Sequence, residues 1–339
     1  ANYQHAAQKY DVDNLIDYKI AQIFVMNYDW PGNNNKLFKS KSGDGKWKHI
    51  MYDSDFGFER WTDLALDFIG SYETYNMLDH AIGEGNVFNN PVWSTAILTT
   101  FLENMDFRSK FINTYCDRLN TTYSAENTLY FMDSLRSIIE PYISDHINRY
   151  GPDIYDSYTP NTFGQYNSAY QGMQNFANYR PENARSEMVE IFGLSGSSNT
   201  ISLYMNDIEA GHIEINSLEI REQGWSGEYF SDVPITVKAV PSFGYEFSHW
   251  SEPSYGDSVV LYLDQDQSLV ANFFEVQNPY QNMISINEIN YNSSDDLDSG
   301  DWLELYNFSS QSLNISGWKF MDSDDSHVYT FPEGSTLEA

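Results

Sequence analysis

Cysteine is nearly absent from this chain, with one in 339 residues. A single cysteine excludes a disulfide within the chain, and no cysteine and histidine spacing typical of a zinc site is present. Cys116 lies in an amphipathic helical pattern, which predicts a small core residue. The seven histidines are scattered and include no His-Glu-x-x-His. A disulfide framework within the chain is therefore excluded.

Basic residues are also scarce. Lysine and arginine number 18 against 49 aspartates and glutamates, a formal charge of −31. Such acidity argues against nucleic-acid binding and against anionic membrane surfaces. No run of eighteen apolar residues predicts a membrane span, and the first residues contain no signal-peptide core. We expect a processed piece of a longer secreted or cell-surface protein, in a salty or extracellular setting.

The residues that are present predict a folded multidomain chain. Its 41% hydrophobic and 16% aromatic content excludes global disorder, and its length fits two or three domains. Apolar spacing is helical up to about residue 193 and alternates afterwards. The predicted fold class is multidomain α+β, with a mainly helical lobe that carries a β-hairpin, followed by two small all-β, immunoglobulin-like domains. The predicted domain ranges are 1–195, 196–276 and 277–339.

The helical part divides at capping residues and prolines. We predict helices over residues 11–26, from Pro91, over 106–119 and over 124–150, with Pro141 bending or dividing the last of these. Their apolar stripes are expected to be core. Residues 151–177, rich in Tyr, Asn, Gln and Gly, are predicted to form a surface loop or a recognition surface for a peptide or glycan. A last helix is expected to begin at Arg180-Pro181-Glu182 and to end at Gly193.

The stretch from Asn27 to Phe58 offers the strongest candidate site. Two short extended runs around a Gly-rich turn predict a hairpin, and its ends carry Asp29 on one side and Asp53 and Asp55 on the other. A hairpin brings its ends together, so these carboxylates should face one small volume, as a magnesium phosphate site requires. The alternative is ordinary turn chemistry, since Asp and Asn are common in turns. Five lysines crowd the same hairpin and are either phosphate contacts or a solvated face: Lys36, Lys39, Lys41, Lys46 and Lys48.

This segment, with the helical stretches up to about residue 193, resembles the C-terminal part of the catalytic domain of the CotH (spore-coat protein H) kinase family of atypical protein kinases. The resemblance implies magnesium-dependent transfer of a phosphoryl group from ATP to a protein hydroxyl. Asp29 would then be the catalytic base. Asn34, five residues on, and Asp53 or Asp55 would hold Mg²⁺, and Asn33, Asn34 and Lys36 would contact the cofactor. Which of the two later aspartates binds the metal stays open.

The kinase template also exposes a gap in the chain. It requires an upstream lobe with a Gly-rich loop and a strand lysine, whereas only 28 residues precede Asp29, and they are predicted to be helical. We therefore expect these 339 residues to be either a fragment or a relative that has lost the upstream lobe, and in both cases to be inactive alone. The rival interpretation is a non-catalytic cell-surface protein, in which a kinase-like scaffold and β modules serve adhesion or assembly. A protein substrate or a surface partner is expected in either case.

The alternating part contains two further patterns. Residues 240–250, with 269–273, resemble bacterial repeat modules of surface proteins such as internalins. Asp-Trp-Leu-Glu-Leu-Tyr-Asn at 301–307 and Leu-Asn-Ile-Ser-Gly-Trp at 313–318 resemble the lamin-tail domain, an immunoglobulin-like sandwich. That domain is usually longer, so we expect a truncated sandwich whose strand edge needs a partner. Two acidic groups could bind Ca²⁺ or form solvated turns: Asp295, Asp296, Asp298 and Asp301, and Asp322, Asp324 and Asp325.

Overall fold

A computed structural model provides the fold. It describes residues 2–41, 45–58, 75–83, 90–151, 160–242, 244–252, 255–276, 280, 282–291, 300–321 and 328–339. The chain divides into two compact units, the first formed by 1–242 with 247–274 and the second by 243–246 with 275–339. The first unit contains both the predicted helical lobe and the first β module. The predicted domain boundaries at 195 and 276 stay predictions.

Helices dominate the first part of the first unit. They are α1 (Asn2–Ala7), α2 (Val12–Phe24), α3 (Met77–Ile82), α4 (Val92–Leu102), α5 (Met105–Asn120), α6 (Ala125–Tyr150) and α7 (Phe163–Phe192). Helix α2 begins as predicted, because the Asp11 carboxylate accepts a hydrogen bond from the Asn14 backbone N–H. Pro91 precedes α4, and Ser124 caps α6. Gly193 ends α7 with a φ of 64°, a conformation that glycine adopts without strain.

Two predictions about the last helices are wrong. Helix α7 begins at Phe163 and passes through Arg180 and Pro181, so much of the predicted loop at 151–177 is helical. Thr162 caps α7 by accepting from the Gln165 N–H, and the Gln165 side chain accepts from the Asn161 N–H. These two hydrogen bonds cap the start of α7, which the composition of the segment did not indicate.

Helix α6 also differs from expectation. It runs through Pro141 without dividing, and its apolar stripe is not core, because Met132 is its one buried residue. Six large apolar side chains of α6 are at least half exposed: Tyr130, Phe131, Leu135, Ile138, Ile139 and Tyr142. The inner side of α6 packs on α7, where Met132, Tyr170 and Ala177 form a small cluster. The outer side of α6 thus lacks the core contacts that its spacing predicts.

The predicted hairpin is present. Strand β1 (Lys36–Lys39) pairs antiparallel with β2 (Trp47–Ile50). The base of β2 is attached to the helical lobe, since Trp47 N donates to Lys9 O at 2.8 Å and Asp11 N donates to Trp47 O at 3.0 Å. His49, on β2, stacks on Tyr18 of α2 with ring centroids 4.5 Å apart. These contacts place the hairpin beside the N-terminal half of α2.

The alternating pattern from residue 198 forms two four-stranded sheets. Their strands are β3 (Ser198–Met205), β4 (Gly211–Ile215), β5 (Leu218–Ile220), β6 (Trp225–Phe230), β7 (Ile235–Pro241), β8 (Tyr245–Trp250), β9 (Ser258–Leu261) and β10 (Gln267–Glu275). One sheet has the order β6-β3-β10-β8 and the other β5-β4-β7-β9. Strands β3 and β10 are parallel, and the other described pairings in these two sheets are antiparallel. Alternate side chains are buried, as the period-two pattern predicts.

A buried polar contact fixes this β module to α5. Asp117 is fully buried, and its carboxylate accepts hydrogen bonds from Ser217 N, Ser217 Oγ, Asn216 Nδ2 and Tyr229 Oη at 2.6 to 3.2 Å. Burial raises the pKa of Asp117, while these donors act in the opposite direction. Because a buried carboxylate must be hydrogen-bonded, the contact requires one relative placement of helix and sheet.

The second unit consists of short strands. They are β11 (Ile284–Asn290), β12 (Trp302–Asn307), β13 (Leu313–Asn314), β14 (Lys319–Met321), β15 (Val328–Thr330) and β16 (Thr336–Leu337). They pair antiparallel as β11-β12, β13-β16 and β14-β15. Except for Asp301, the aspartates considered for Ca²⁺ lie outside the described residues. The α+β fold class, a helical region followed by β sheets, is confirmed.

Candidate active site in the Asn27–Phe58 segment

The predicted base lies in a turn directly after α2. Asp29 is half-buried, and both of its carboxylate oxygens accept amide hydrogen bonds. Asn33 Nδ2 donates to Oδ1 at 2.8 Å, and Asn34 Nδ2 donates to Oδ2 at 2.9 Å. Because each carboxylate oxygen can accept more than one hydrogen bond, the amides orient Asp29 and still leave acceptor capacity for an incoming hydroxyl.

The second acidic turn meets the first through its backbone. Asp53 O accepts from Asn34 Nδ2 at 3.4 Å and from the buried Asn27 Nδ2 at 3.3 Å. Asn34 and Asp53 both have left-handed backbones, with φ of 53° and 54°, a conformation that Asn and Asp tolerate better than most residues. Asn34 therefore joins the Asp29 carboxylate to the Asp53 carbonyl, and the two turns converge as the hairpin predicts.

The carboxyl groups of Asp53 and Asp55 share a hydrogen bond. This bond, with the negative charges of Asp55 and Asp29, raises the pKa of Asp53, while the Lys36 ammonium lowers it. Two exposed carboxyls held this close favour either a shared proton or a bound cation. The Lys36 Nζ lies 4.0 Å from the centre of the Tyr52 ring, at the same end of the hairpin.

Gly57 holds the Asp55-Phe56-Gly57 turn against the end of α2. Gly57 N donates to Ser54 O at 3.0 Å, and Phe58 N donates to Val25 O at 2.7 Å. A side chain at position 57 would lie 3.0 Å from Val25 O and 3.1 Å from Ser54 O. Such close approach to two carbonyl oxygens favours glycine at this position.

The residues that support these turns through hydrogen bonds were not predicted from the sequence. Tyr18 Oη accepts from Trp30 Nε1 at 3.0 Å and donates to Asn34 O at 3.3 Å. His80 Nε2 donates to Trp30 O at 2.8 Å, and its Nδ1 therefore accepts from the Tyr75 hydroxyl at 2.6 Å. Since Trp30 follows Asp29 directly, these contacts fix the backbone on which the predicted base stands.

Two more buried polar groups lie beneath the same turn. Lys19 is 1% exposed, its Nζ lies 4.7 Å from the Trp30 ring centre, and burial lowers its pKa to about 7. Burial, followed by the charge of Lys19, lowers the pKa of His49 to about 4. A signal for Lys19 existed in the sequence, because it stands at core spacing between Ile16 and Ile23 on the apolar face of α2.

The donor set fits a magnesium ion that shares its coordination with phosphates. Among the residues that the structure describes, no three His, Cys, Asp or Glu side chains are arranged to hold a metal. Mg²⁺ is commonly held by one or two carboxylates, with waters and substrate phosphates completing its octahedron. The Asp53–Asp55 pair supplies two carboxylates, and the Asn34 amide oxygen is left as an acceptor because its nitrogen donates to Asp29.

The comparison with known protein families matches the part of the chain that contains the candidate site. Residues 1–184 match the family described as CotH kinase protein, which is more than half of the chain. This chain belongs to the CotH kinase family. Residues 277–339 match the Lamin Tail Domain, while comparisons with curated proteins and with solved structures gave no match. All six predicted site residues lie within the CotH kinase match, whereas their individual roles stay predictions. No described helix is long and apolar enough to cross a bilayer.

Proposed function

We propose that this CotH kinase family chain carries the catalytic and metal-binding half of an atypical protein kinase. The proposed reaction is magnesium-dependent transfer of the ATP γ-phosphoryl group to a protein hydroxyl. The single observation that carries it is the convergence of Asp29, Asn34 and the Asp53–Asp55 pair, through Asn34. Because phosphoryl transfer depends on positioning and charge neutralisation, a rigid acidic turn beside one lysine suits it.

In this proposal each residue has a distinct role. Asp29 accepts the proton of the acceptor hydroxyl, and its two amide partners keep it oriented. Asp53 or Asp55, with Asn34, holds Mg²⁺, which supplies charge neutralisation across the phosphates. Asn33 and Lys36 are the further proposed cofactor contacts. The Gly-rich loop and strand lysine of the kinase template are missing from these 339 residues, so we propose the reaction for a protein that includes them and no activity for this chain alone.

The same proposal places the protein outside the cell or on its surface. The formal charge of −31, the lamin-tail match and the β module, which resembles internalin-type repeats, support this location. If phosphoryl transfer fails, the rival function is a non-catalytic surface protein. Its support is the rigid attachment of the β module to α5 through Asp117.

Two measurements test the proposal. Binding of Mn²⁺ as a magnesium substitute is measured on this chain by electron paramagnetic resonance, and phosphate incorporation is measured on a protein that includes the upstream lobe. Asp55→Asn and Asp29→Asn should each lower incorporation by about 10²-fold or more, and Asp55→Asn should also weaken Mn²⁺ binding. Asp145→Asn, an exposed aspartate of α6, is the matched control. Unchanged incorporation in both site variants would contradict the assignment.

A further inference from the structure

The hairpin is rich in lysine although the chain as a whole is acidic. Five of the ten lysines in the sequence fall within residues 36–48. We call residues 36–41 and 45–50 the basic ribbon. Lys48 pairs with Asp11 at 3.3 Å, whereas Lys39 and Lys41 make no ion pair in the described part of the chain. Positive charge of this density on a chain of −31 is not needed for solubility.

The basic ribbon also exposes apolar side chains. Leu37, Phe38, Trp47 and Ile50 are 37 to 45% exposed. Because Lys36 is paired with Ile50 and Phe38 with Lys48, and paired residues share a face, one face alternates ammonium groups with large apolar groups. Lysines that only protect a strand edge from aggregation do not require such neighbours.

One edge of the ribbon is available for pairing. Strand β2 is covered by the Lys9 and Asp11 backbone, whereas β1 pairs only with β2 among the described strands. A two-stranded ribbon in water is marginally stable by itself, and an added strand would complete its hydrogen bonding. Extended peptides bind exposed strand edges in this way, through backbone hydrogen bonds with side-chain selection at alternate positions.

We propose that the basic ribbon binds an extended acidic polypeptide segment. The segment adds to the free edge of β1, places carboxylates at Lys39 and Lys41 on one face, and places apolar side chains against Phe38 on the opposite face. Nucleic acid is disfavoured by the charge of the whole chain. The proposed peptide contacts are separate from the proposed phosphate position. The lysine near that position is Lys36, whose charge lowers the pKa of Asp53, and Lys36 is not among the lysines that bind the peptide. The inference does not depend on phosphoryl transfer.

The test uses the 339-residue chain without nucleotide and a fluorescent peptide of alternating Glu and Val, followed by anisotropy. Charge reversal at Lys39→Glu with Lys41→Glu should weaken binding by at least about tenfold, mostly at low salt. Lys238→Glu with Lys319→Glu makes the same charge change elsewhere and should weaken it less than about twofold. A peptide N-methylated at alternate residues, and one of alternating Lys and Val, should not bind.

Several results would overturn the inference. Equal weakening in both double variants would show attraction by overall charge alone. Equal binding of the N-methylated peptide would exclude strand addition. Tighter binding of single-stranded DNA through the same lysines, or full competition by ATP, would assign the ribbon to another ligand. If thermal melting shows that the charge reversals disturb folding, Lys39→Gln with Lys41→Gln replaces them, with Lys238→Gln and Lys319→Gln as control.

Discussion

Helices α5 and α6 have similar sequence patterns and opposite environments. Both are amphipathic and capped by a polar side chain, yet α5 buries nine residues and α6, all of which is described, buries one. Their ring residues show the contrast, with Phe111 fully buried and Phe131 60% exposed. Helical spacing determines which residues share a face, whereas burial requires a second surface to cover that face.

Removing a ring from each helix gives the largest expected difference. Phe111→Ala should lower the free energy of unfolding by about 3 to 5 kcal/mol, because it removes buried contacts and leaves a cavity. Phe131→Ala should stay within about 0.5 kcal/mol. Urea unfolding of both variants, followed by circular dichroism, measures the two values. A comparable loss in Phe131→Ala would mean that the outer face of α6 is covered, which would remove the contrast between the helices.

A buried aspartate of α5 and an exposed aspartate of α6 give a second comparison of the two helices, with a smaller expected change in stability. Asp117→Ala should cost about 3 kcal/mol, since it leaves the hydroxyl and N–H donors of the β module without an acceptor. Asp145→Ala, on the exposed side of α6, should change little. Limited proteolysis between α7 and β3 adds a readout for the attachment of the β module. Unaltered stability and unaltered cleavage in Asp117→Ala would mean that the module does not depend on this carboxylate.

Helix-capping residues and the spacing of apolar residues predicted much of the fold. Asp11, Ser124 and Gly193 mark helix ends through local chemistry, and the alternating residues from Ile201 onward mark strands, because both signals depend on neighbours in sequence. The start of α7 was missed since Tyr, Asn and Gly, which are common in this segment, have weak helix propensity. Packing on α6 and the Thr162 cap outweigh that propensity.

The site was partly predictable for a related reason. A hairpin necessarily brings its ends together, so the approach of Asp29 to Asp53 followed from the sequence. Tyr18, His49 and His80 were missed because their roles depend on tertiary contacts. His80 reaches the carbonyl of Trp30 across fifty positions of sequence, and no local pattern distinguishes it from any other helix histidine.

The smallest predicted effect is a difference in the pH dependence of stability between a buried histidine and an exposed one. Burial lowers the pKa of His80 to about 4, although its hydrogen bond to Trp30 acts in the opposite direction. Between pH 6.5 and this value the unfolded chain binds a proton that the folded chain excludes, so the stability due to His80 is complete above pH 6.5 and falls as the pH decreases. The expected loss is about 2.5 kcal/mol by pH 4.5, and the experiment stops there because the sequence pI is about 4.2.

His80→Gln keeps a donor and an acceptor and removes the titration, so its stability should fall less than that of the wild type over this range. His49 titrates in the same window in both proteins and cancels in the difference. The control His146→Gln, on exposed α6, should follow the wild type in parallel. Urea midpoints measured every half pH unit give the slopes. Parallel curves for wild type and His80→Gln would mean that protonated His80 is tolerated beneath Trp30, and the turn that carries Asp29 would then be less rigid than its hydrogen bonds imply.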